Sequence, residues 1–214
     1  MSINNLRYGL IKPALDAHTL GINSAAELLR ECGYDVLFAD DSVAEAMNDY
    51  KHEVRRRLVV DWIRKKNINR LGLSYRLDQE DAVNMVGYLM EELKKERLLK
   101  FQGGQIEYIF FAGLPKACEQ IEKEFDGLVK TFMGGESARE TLLKMGVPES
   151  RIPGDIYEGS RHDEFLLQFG KEIIDSQDYL KYKPLDRSNY KEYGTREDTV
   201  VKRLDANLAG NFHP

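Results

Sequence analysis

The chain has 214 residues and a formal net charge of −5, with 31% of its residues charged. This length suits one large domain with an appendage, and the acidic balance argues against nucleic acid as the main partner. Cys32 and Cys118 stand alone, which excludes zinc and iron–sulfur motifs and favours a reducing compartment. No apolar run is long enough to span a bilayer and no signal peptide is visible, so we expect a cytoplasmic protein.

Short apolar runs alternate with amphipathic segments along the first two thirds of the chain. The apolar runs predict five strands, at Leu6–Ile11, Tyr34–Ala39, Ile68–Ser74, Ile106–Phe111 and Leu128–Met133. The amphipathic segments predict helices over Ile22–Cys32, Val43–Lys66, Asp78–Glu96, Lys116–Phe125 and Ser137–Met145. This alternation predicts an α/β fold, a doubly wound five-stranded parallel sheet of the flavodoxin-like or Rossmann-like kind.

The alternation of apolar runs and amphipathic segments ends after Gly146. Residues 1–146 are expected to form the sheet domain, and residues 147–214 a C-terminal extension that is helical and irregular. Helices are predicted within this extension at Phe165–Leu180 and Thr199–Leu208. Its aromatic residues are set among charges, which favours contact with a partner subunit or further domain. A disordered or purely intradomain extension is the alternative.

The loop after the first predicted strand carries the most distinctive residues of the chain. It reads Asp16-Ala-His18-Thr19-Leu-Gly21, and the next helix is expected to begin at Ile22. Such a loop, at the carboxyl end of a strand and ahead of a helix, is where α/β proteins place ligand chemistry. Taken alone, it is equally consistent with a histidine held by an aspartate for structural reasons.

The spacing Asp-x-His-x-x-Gly resembles the signature of cobalamin-binding domains, the B12 modules of mutases and of methionine synthase. The resemblance implies that His18 is the lower axial ligand of the cobalt, its metal-binding role. Asp16 then accepts a hydrogen bond from the other imidazole nitrogen, which fixes the tautomer and orients the ring. Gly21 allows a tight turn beneath the corrin, and Thr19 and Ile22 are implied as neighbouring cofactor contacts.

The loop after the third predicted strand extends this resemblance. The family usually has Ser-x-Leu there, with the serine meeting the nucleotide tail of the cofactor. Ser74 matches, whereas Arg76 occupies the leucine position and Leu77 follows it. This loop and the Asp16–Gly21 loop look most like those of the lysine and ornithine aminomutase group, and all three residues are implied as cofactor contacts.

The family also has a pair of glycines after its fourth strand, and this chain offers two candidates. Ala112 and Gly113 follow the fourth predicted strand, while Gly134 and Gly135 follow the fifth. We favour the first assignment because it keeps the strand order, and we expect both loops to line the slot for the nucleotide tail. Glycine suits such a slot because a side chain would block it.

The resemblance implies a cobalamin-binding subunit or domain of an adenosylcobalamin-dependent mutase. In such an isomerase the cofactor starts radical chemistry by cobalt–carbon cleavage, while the protein supplies ligation and orientation. The substrate site is then expected on a separate barrel subunit or domain, which implies a hetero-oligomer, and no catalytic side chain is assigned here. Neither nucleic acid nor a membrane is an expected partner.

Two alternatives remain open. The first is a corrinoid methyl carrier that uses methylcobalamin. It is disfavoured because such carriers usually have a helical cap module ahead of the sheet domain, and the first predicted strand already begins at Leu6. The second is a non-enzymatic α/β interaction module without corrinoid, in which His18 and the glycines are structural.

Overall fold

The computed structural model describes residues 6–125, 127–156 and 161–177. The strands of the described part are β1 (Arg7–Ile11), β2 (Asp35–Phe38), β3 (Arg70–Tyr75), β4 (Tyr108–Gly113) and β5 (Val129–Phe132). The helices are α1 (Leu20–Glu31), α2 (Asp41–Asn48), α3 (Glu53–Lys66), α4 (Gln79–Lys95), α5 (Pro115–Phe125), α6 (Ala138–Lys144) and α7 (Arg161–Ser176).

All five strands are parallel and lie in the order β2-β1-β3-β4-β5. Helices cover both faces of the sheet, so the predicted α/β class and doubly wound architecture are confirmed. The order reverses between β1 and β3, and loops that leave neighbouring strands toward opposite faces open a crevice at such a point. The loops after β1 and β3 therefore meet at the edge where this fold binds ligands.

Side chains alternate between two cores, one on each face of the sheet. On one face, α2 to α5 pack over Ile11, Leu71 and Phe111. On the other face, α1 and α6 pack over Tyr8, Leu10 and other residues of the sheet. Strands buried on both faces read as continuous apolar runs, which explains why the sequence located them. Among the described helices, α1 and α6 cover the second face, and a cavity lies between them and the sheet.

Polar residues cap several helices. The side chain of Asp40 accepts a hydrogen bond from the Val43 N–H at 3.1 Å, and Asp78 caps α4 through the Asp81 N–H at 2.9 Å. Ser137 begins α6 with a reciprocal capping box. Each cap satisfies an N–H group that the helix cannot pair internally, so these starts are fixed locally.

The predicted helix Val43–Lys66 is wrong in one respect, because the structure has two helices there. α2 ends at Asn48 and α3 begins at Glu53. The break lets Tyr50 turn inward to 6% exposure and donate a hydrogen bond from its hydroxyl to Asp81 at 2.9 Å. Arg56 closes the turn by donating to the carbonyls of Tyr50 and Lys51. Local charge patterning contains no sign of this tertiary anchoring.

The buried residues of the sheet domain continue beyond Gly146, where the sequence predicts its end. Val147, Ile152 and Ile156 are buried in the core that α1 and α6 form with the sheet. The chain divides into two compact units, Met1–Asp163 and Glu164–Pro214. The first unit therefore includes part of the predicted extension.

The described part of the second unit consists mostly of the residues of α7 from Glu164 onward, where the sequence predicts a helix beginning at Phe165. Large apolar residues along it are exposed, namely Phe165, Leu166, Leu167, Phe169, Ile173 and Ile174. The predicted helix Thr199–Leu208 lies outside the described residues. None of the described helices has the length and apolar character needed to cross a membrane.

Candidate functional site

Asp16 is the single carboxylate of the β1–α1 loop, and 0% of its surface is exposed. Its Oδ1 accepts hydrogen bonds from the backbone N–H of His18 at 2.8 Å and from the His18 ring at 2.7 Å. Its Oδ2 accepts one from the backbone N–H of Arg76 at 2.8 Å. Asp16 thus joins the loop after β1 to the loop after β3.

Burial by itself raises the pKa of Asp16, because an apolar environment disfavours the charged carboxylate. The N–H groups of His18 and Arg76, together with the His18 ring, outweigh this effect and hold the pKa below its usual value. Asp16 is therefore ionised at neutral pH. An ionised carboxylate only accepts hydrogen bonds, so the bond to His18 places a proton on Nδ1.

The other ring nitrogen of His18, Nε2, consequently carries a lone pair instead of a proton. The His18 side chain is 56% exposed and lines a cavity at the carboxyl edge of the sheet. Within the described part of the chain, Nε2 has no hydrogen-bond partner. A neutral imidazole in this tautomer presents the Nε2 lone pair, which can bind a metal ion, while Asp16 orients the ring.

Three contacts fix the loop that presents His18. Lys12 donates from its ammonium group to the backbone carbonyl of Asp16. Beyond the site, the Ala14 N–H bonds to the Ala44 carbonyl at 3.0 Å, and the Leu15 N–H bonds to Asn48 Oδ1 at 3.1 Å. The sequence did not single out Lys12, because a lysine at the end of a strand is usually a solvated residue.

The cavity behind His18 has a volume of about 630 Å³. Its floor is the sheet face formed by Leu10, Gly72, Ser74, Phe110 and Phe132. Its walls are α1, α6 and the residue that follows α6, which contribute Ile22, Ala25, Leu28, Ala138, Thr141 and Met145. Small ligands and cofactors usually occupy cavities of about 300–1,000 Å³ that are mostly apolar with a few polar groups. The cavity fits that description.

The structure brings most of the predicted site residues together around this cavity. Those that line it are His18, Thr19, Gly21, Ile22, Ser74, Arg76, Ala112, Gly113, Gly134 and Gly135. Asp16 lies behind His18 and does not line the cavity. Leu77 is 48% exposed and is also not among the lining residues.

The sequence predicts that the first glycine candidate lies in a loop. In the structure it forms the end of a strand instead. Ala112 and Gly113 pair with Ser74 and Tyr75 as the last residues of β4. A Cβ at Gly113 would lie 2.5 Å from the Phe111 ring and 2.9 Å from the Tyr75 carbonyl oxygen. Its missing side chain is therefore required by packing at the end of the strand.

The second glycine candidate is a loop between β5 and α6. Gly134 and Gly135 have φ angles of 95° and 92°, which glycine adopts at no steric cost. The carboxylate of Glu136 accepts hydrogen bonds from the N–H groups of Met133 at 3.2 Å and Gly134 at 3.0 Å. Glu136 is not among the site residues predicted from the sequence, although it follows the glycine pair directly.

Ser74 is the polar group within the cavity floor. It is 5% exposed, and the described residues offer its hydroxyl no hydrogen-bond partner. Ser74 lines the cavity, so this hydroxyl faces the space that a ligand would occupy. A polar atom of a ligand in the cavity is the natural partner for it.

Among the residues that the structure describes, no group of three or more His, Cys, Asp or Glu side chains could hold a metal ion. No protein-family model matches the chain, and no curated protein matches it. Among solved structures it is similar to a de novo designed Rossmann 2x3 fold protein, determined by NMR in solution. The two are 15% identical with a TM-score of 0.38, and the match covers 66% of this chain and 92% of the designed chain. This likeness concerns the fold alone.

Proposed function

We propose that this protein binds a cobalamin, with His18 as the lower axial ligand of the cobalt. The proposal depends on the Asp16–His18 pair, whose hydrogen bond of 2.7 Å to Nδ1 leaves Nε2 free at the mouth of a cavity. A corrin ring supplies its own equatorial nitrogens. The protein therefore needs to contribute a single axial ligand, and a cluster of metal-binding side chains is not required.

The cavity also fits the part of cobalamin that His18 would displace. When a histidine takes the lower position, the nucleotide tail with its dimethylbenzimidazole base must leave the cobalt. A flat, mostly apolar base suits a cavity floored by Leu10, Phe110 and Phe132. Ser74 adds one hydroxyl to the cavity floor, and the sheet edge is where this fold binds ligands.

We further propose that the protein is the cobalamin-binding component of an adenosylcobalamin-dependent mutase. The bound cofactor would supply a cobalt–carbon bond whose cleavage starts radical isomerisation. In this chain His18 would bind the cobalt, and the ionised carboxylate of Asp16 would orient the imidazole. The loops around them would hold the imidazole ring in place. The substrate would bind to a separate barrel subunit or domain.

The first experiment is to mix the purified protein with hydroxocobalamin, desalt it and record the visible spectrum. We expect the wild type to retain the colour with a spectrum changed by nitrogen ligation. The matched control for the His18→Ala variant is His52→Ala. His52 is exposed, stands at the start of α3 and lies outside the cavity lining. A wild-type protein that loses all colour on desalting contradicts the proposal.

The second experiment separates a mutase component from a methyl carrier. The protein loaded with adenosylcobalamin should support isomerisation once its barrel partner is added. A carrier would instead demethylate methylcobalamin in the presence of a thiol or folate acceptor. Demethylation without isomerisation would leave cobalamin binding standing and overturn the mutase assignment.

A further inference from the structure

Three ionisable side chains line the cavity: His18, Arg76 and Glu136. The charge of Glu136 is already compensated. Its carboxylate accepts the N–H groups of Met133 and Gly134, and the Lys144 ammonium lies 3.9 Å away. Glu136 therefore does not call for a further cationic group from a ligand.

Arg76 differs from Glu136 because no residue in the described part of the chain pairs with its charge. Its backbone N–H is bound to Asp16 Oδ2 at 2.8 Å, which fixes the Arg76 backbone beside the His18 loop. Its guanidinium group makes no hydrogen bond or ion pair with any residue that the structure describes, and Arg76 is exposed. The cavity mouth thus carries a positioned but uncompensated positive charge.

The apolar interior limits where an anionic ligand group could lie. The floor of the cavity includes Leu10, Phe110 and Phe132, and an anion placed against them would lose its hydration without compensation. A ligand with both an apolar base and an anionic group must keep the anion at the mouth. Arg76 is the cation there, and a guanidinium can hold two oxygens of one phosphate through parallel hydrogen bonds.

We propose that Arg76 binds the phosphodiester of the corrinoid's nucleotide tail where the tail enters the cavity. This inference rests on the proposed function, because it assumes that His18 displaces the tail. It makes Arg76 a specificity residue, one that favours corrinoids with a complete nucleotide over those that lack it.

The test compares hydroxocobalamin with diaquacobinamide, which has no nucleotide and hence no phosphodiester. Affinities are measured by spectral titration for the full-length wild type, Arg76→Leu and Arg76→Lys. The control is Arg57→Leu, which removes an exposed arginine paired with Glu53 on α3. We expect Arg76→Leu to bind hydroxocobalamin roughly tenfold more weakly, with cobinamide affinity unchanged. Arg76→Lys should recover part of the loss, and raising the salt concentration should weaken wild-type hydroxocobalamin binding more than Arg76→Leu binding.

Two results overturn the inference while leaving the proposed function intact. One is unchanged hydroxocobalamin affinity in Arg76→Leu, which would assign the arginine to an anion from another source, such as a substrate carboxylate. The other is an equal loss for hydroxocobalamin and cobinamide, which would mean that the substitution disturbs the loop. Failure of the wild type to bind either corrinoid is a different outcome, because it removes the proposed function itself.

Discussion

Asp16 holds His18 at two points through a single oxygen. Oδ1 accepts the His18 backbone N–H at 2.8 Å and the ring Nδ1 at 2.7 Å, so backbone and imidazole are oriented together. Because the Arg76 N–H occupies Oδ2 at 2.8 Å, the carboxylate also ties the His18 loop to the loop after β3. Ligation and the shape of the cavity mouth therefore depend on the same carboxylate.

His18→Ala should weaken hydroxocobalamin binding strongly and abolish nitrogen ligation from the protein, because Nε2 is the proposed ligand. An EPR spectrum of protein loaded with cob(II)alamin reports an axial nitrogen through superhyperfine splitting. Labelling the wild type with nitrogen-15 histidine should change that splitting. An unchanged splitting would show that the axial nitrogen comes from elsewhere, and His52→Ala serves as the histidine control.

Asp16→Asn should preserve corrinoid binding but reduce affinity roughly tenfold, at the lower end of the effect usual for groups that orient a metal ligand. The amide keeps the size of the carboxylate, yet it offers one accepting oxygen and no charge. With Oδ1 kept as the oxygen, the amide nitrogen would replace Oδ2 and could not accept the hydrogen bond from the Arg76 N–H. The measurement is a spectral titration with hydroxocobalamin, and equal affinities for variant and wild type would deny Asp16 an orienting role.

The lowered pKa of Asp16 also predicts how stability depends on pH. The pKa of Asp16 is lower in the folded protein than in the unfolded one. Its ionised form therefore stabilises the fold at pH values above the unfolded pKa of about 3.9. That contribution is lost as the pH falls through the folded pKa. Denaturant unfolding should therefore show wild type more stable than Asp16→Asn at neutral pH, with the gap closing below about pH 3.9. A gap that stays constant in acid would contradict the ionised hydrogen-bonded state.

Filling the cavity offers a steric test of the nucleotide-tail slot. Ala25 on α1 and Thr141 on α6 are half-buried and line opposite walls. Ala25→Phe or Thr141→Phe should exclude the tail, so hydroxocobalamin affinity should fall while cobinamide affinity remains. The control is Asn23→Phe, exposed on the same helix as Ala25 and outside the lining. Equal losses for both corrinoids would show that the wall supports the fold rather than the tail.

These wall positions are better than the glycines for this test. A valine at Gly113 would meet the Phe111 ring and the Tyr75 carbonyl oxygen, so it would disturb β4. Gly135 has a φ of 92°, which strains any residue with a side chain whether or not the cavity is filled. Loss of binding in either variant would therefore mix folding with tail exclusion.

The parts of the site that the sequence predicts are the ones with local signals. A loop that follows a buried strand can be located from apolar patterning, so His18, Ser74 and Gly134 were placed at one sheet edge correctly. Apart from Ile22, the sequence does not predict the residues that form the walls of the cavity. Periodicity marks the buried sides of α1 and α6, but it does not reveal that a gap remains between Ala25 and Thr141.

Long-range contacts explain the remaining differences. The break between α2 and α3 depends on Tyr50 reaching Asp81, which is 31 residues away in the chain. Likewise, Arg70 donates to the carbonyls of Met145 at 2.9 Å and Gly146 at 3.2 Å, which anchors the end of α6 beneath the sheet. Contacts of this kind have no periodic signature, because each partner looks like an ordinary polar residue in its own segment.

The last prediction concerns where the sheet domain ends. Val147, Ile152 and Ile156 are 2%, 7% and 1% exposed, so they belong to the core on the α1 and α6 face. Burying each such side chain is worth roughly 1.5–3 kcal/mol, and a chain cut after Gly146 should lose about 5 kcal/mol of unfolding free energy. A chain cut after Asp163 keeps the whole first unit and should retain both stability and hydroxocobalamin binding. Denaturant unfolding and desalting with hydroxocobalamin compare the two truncations with the full chain. If the shorter chain proved as stable as the longer one, the residues after Gly146 would not be part of the core.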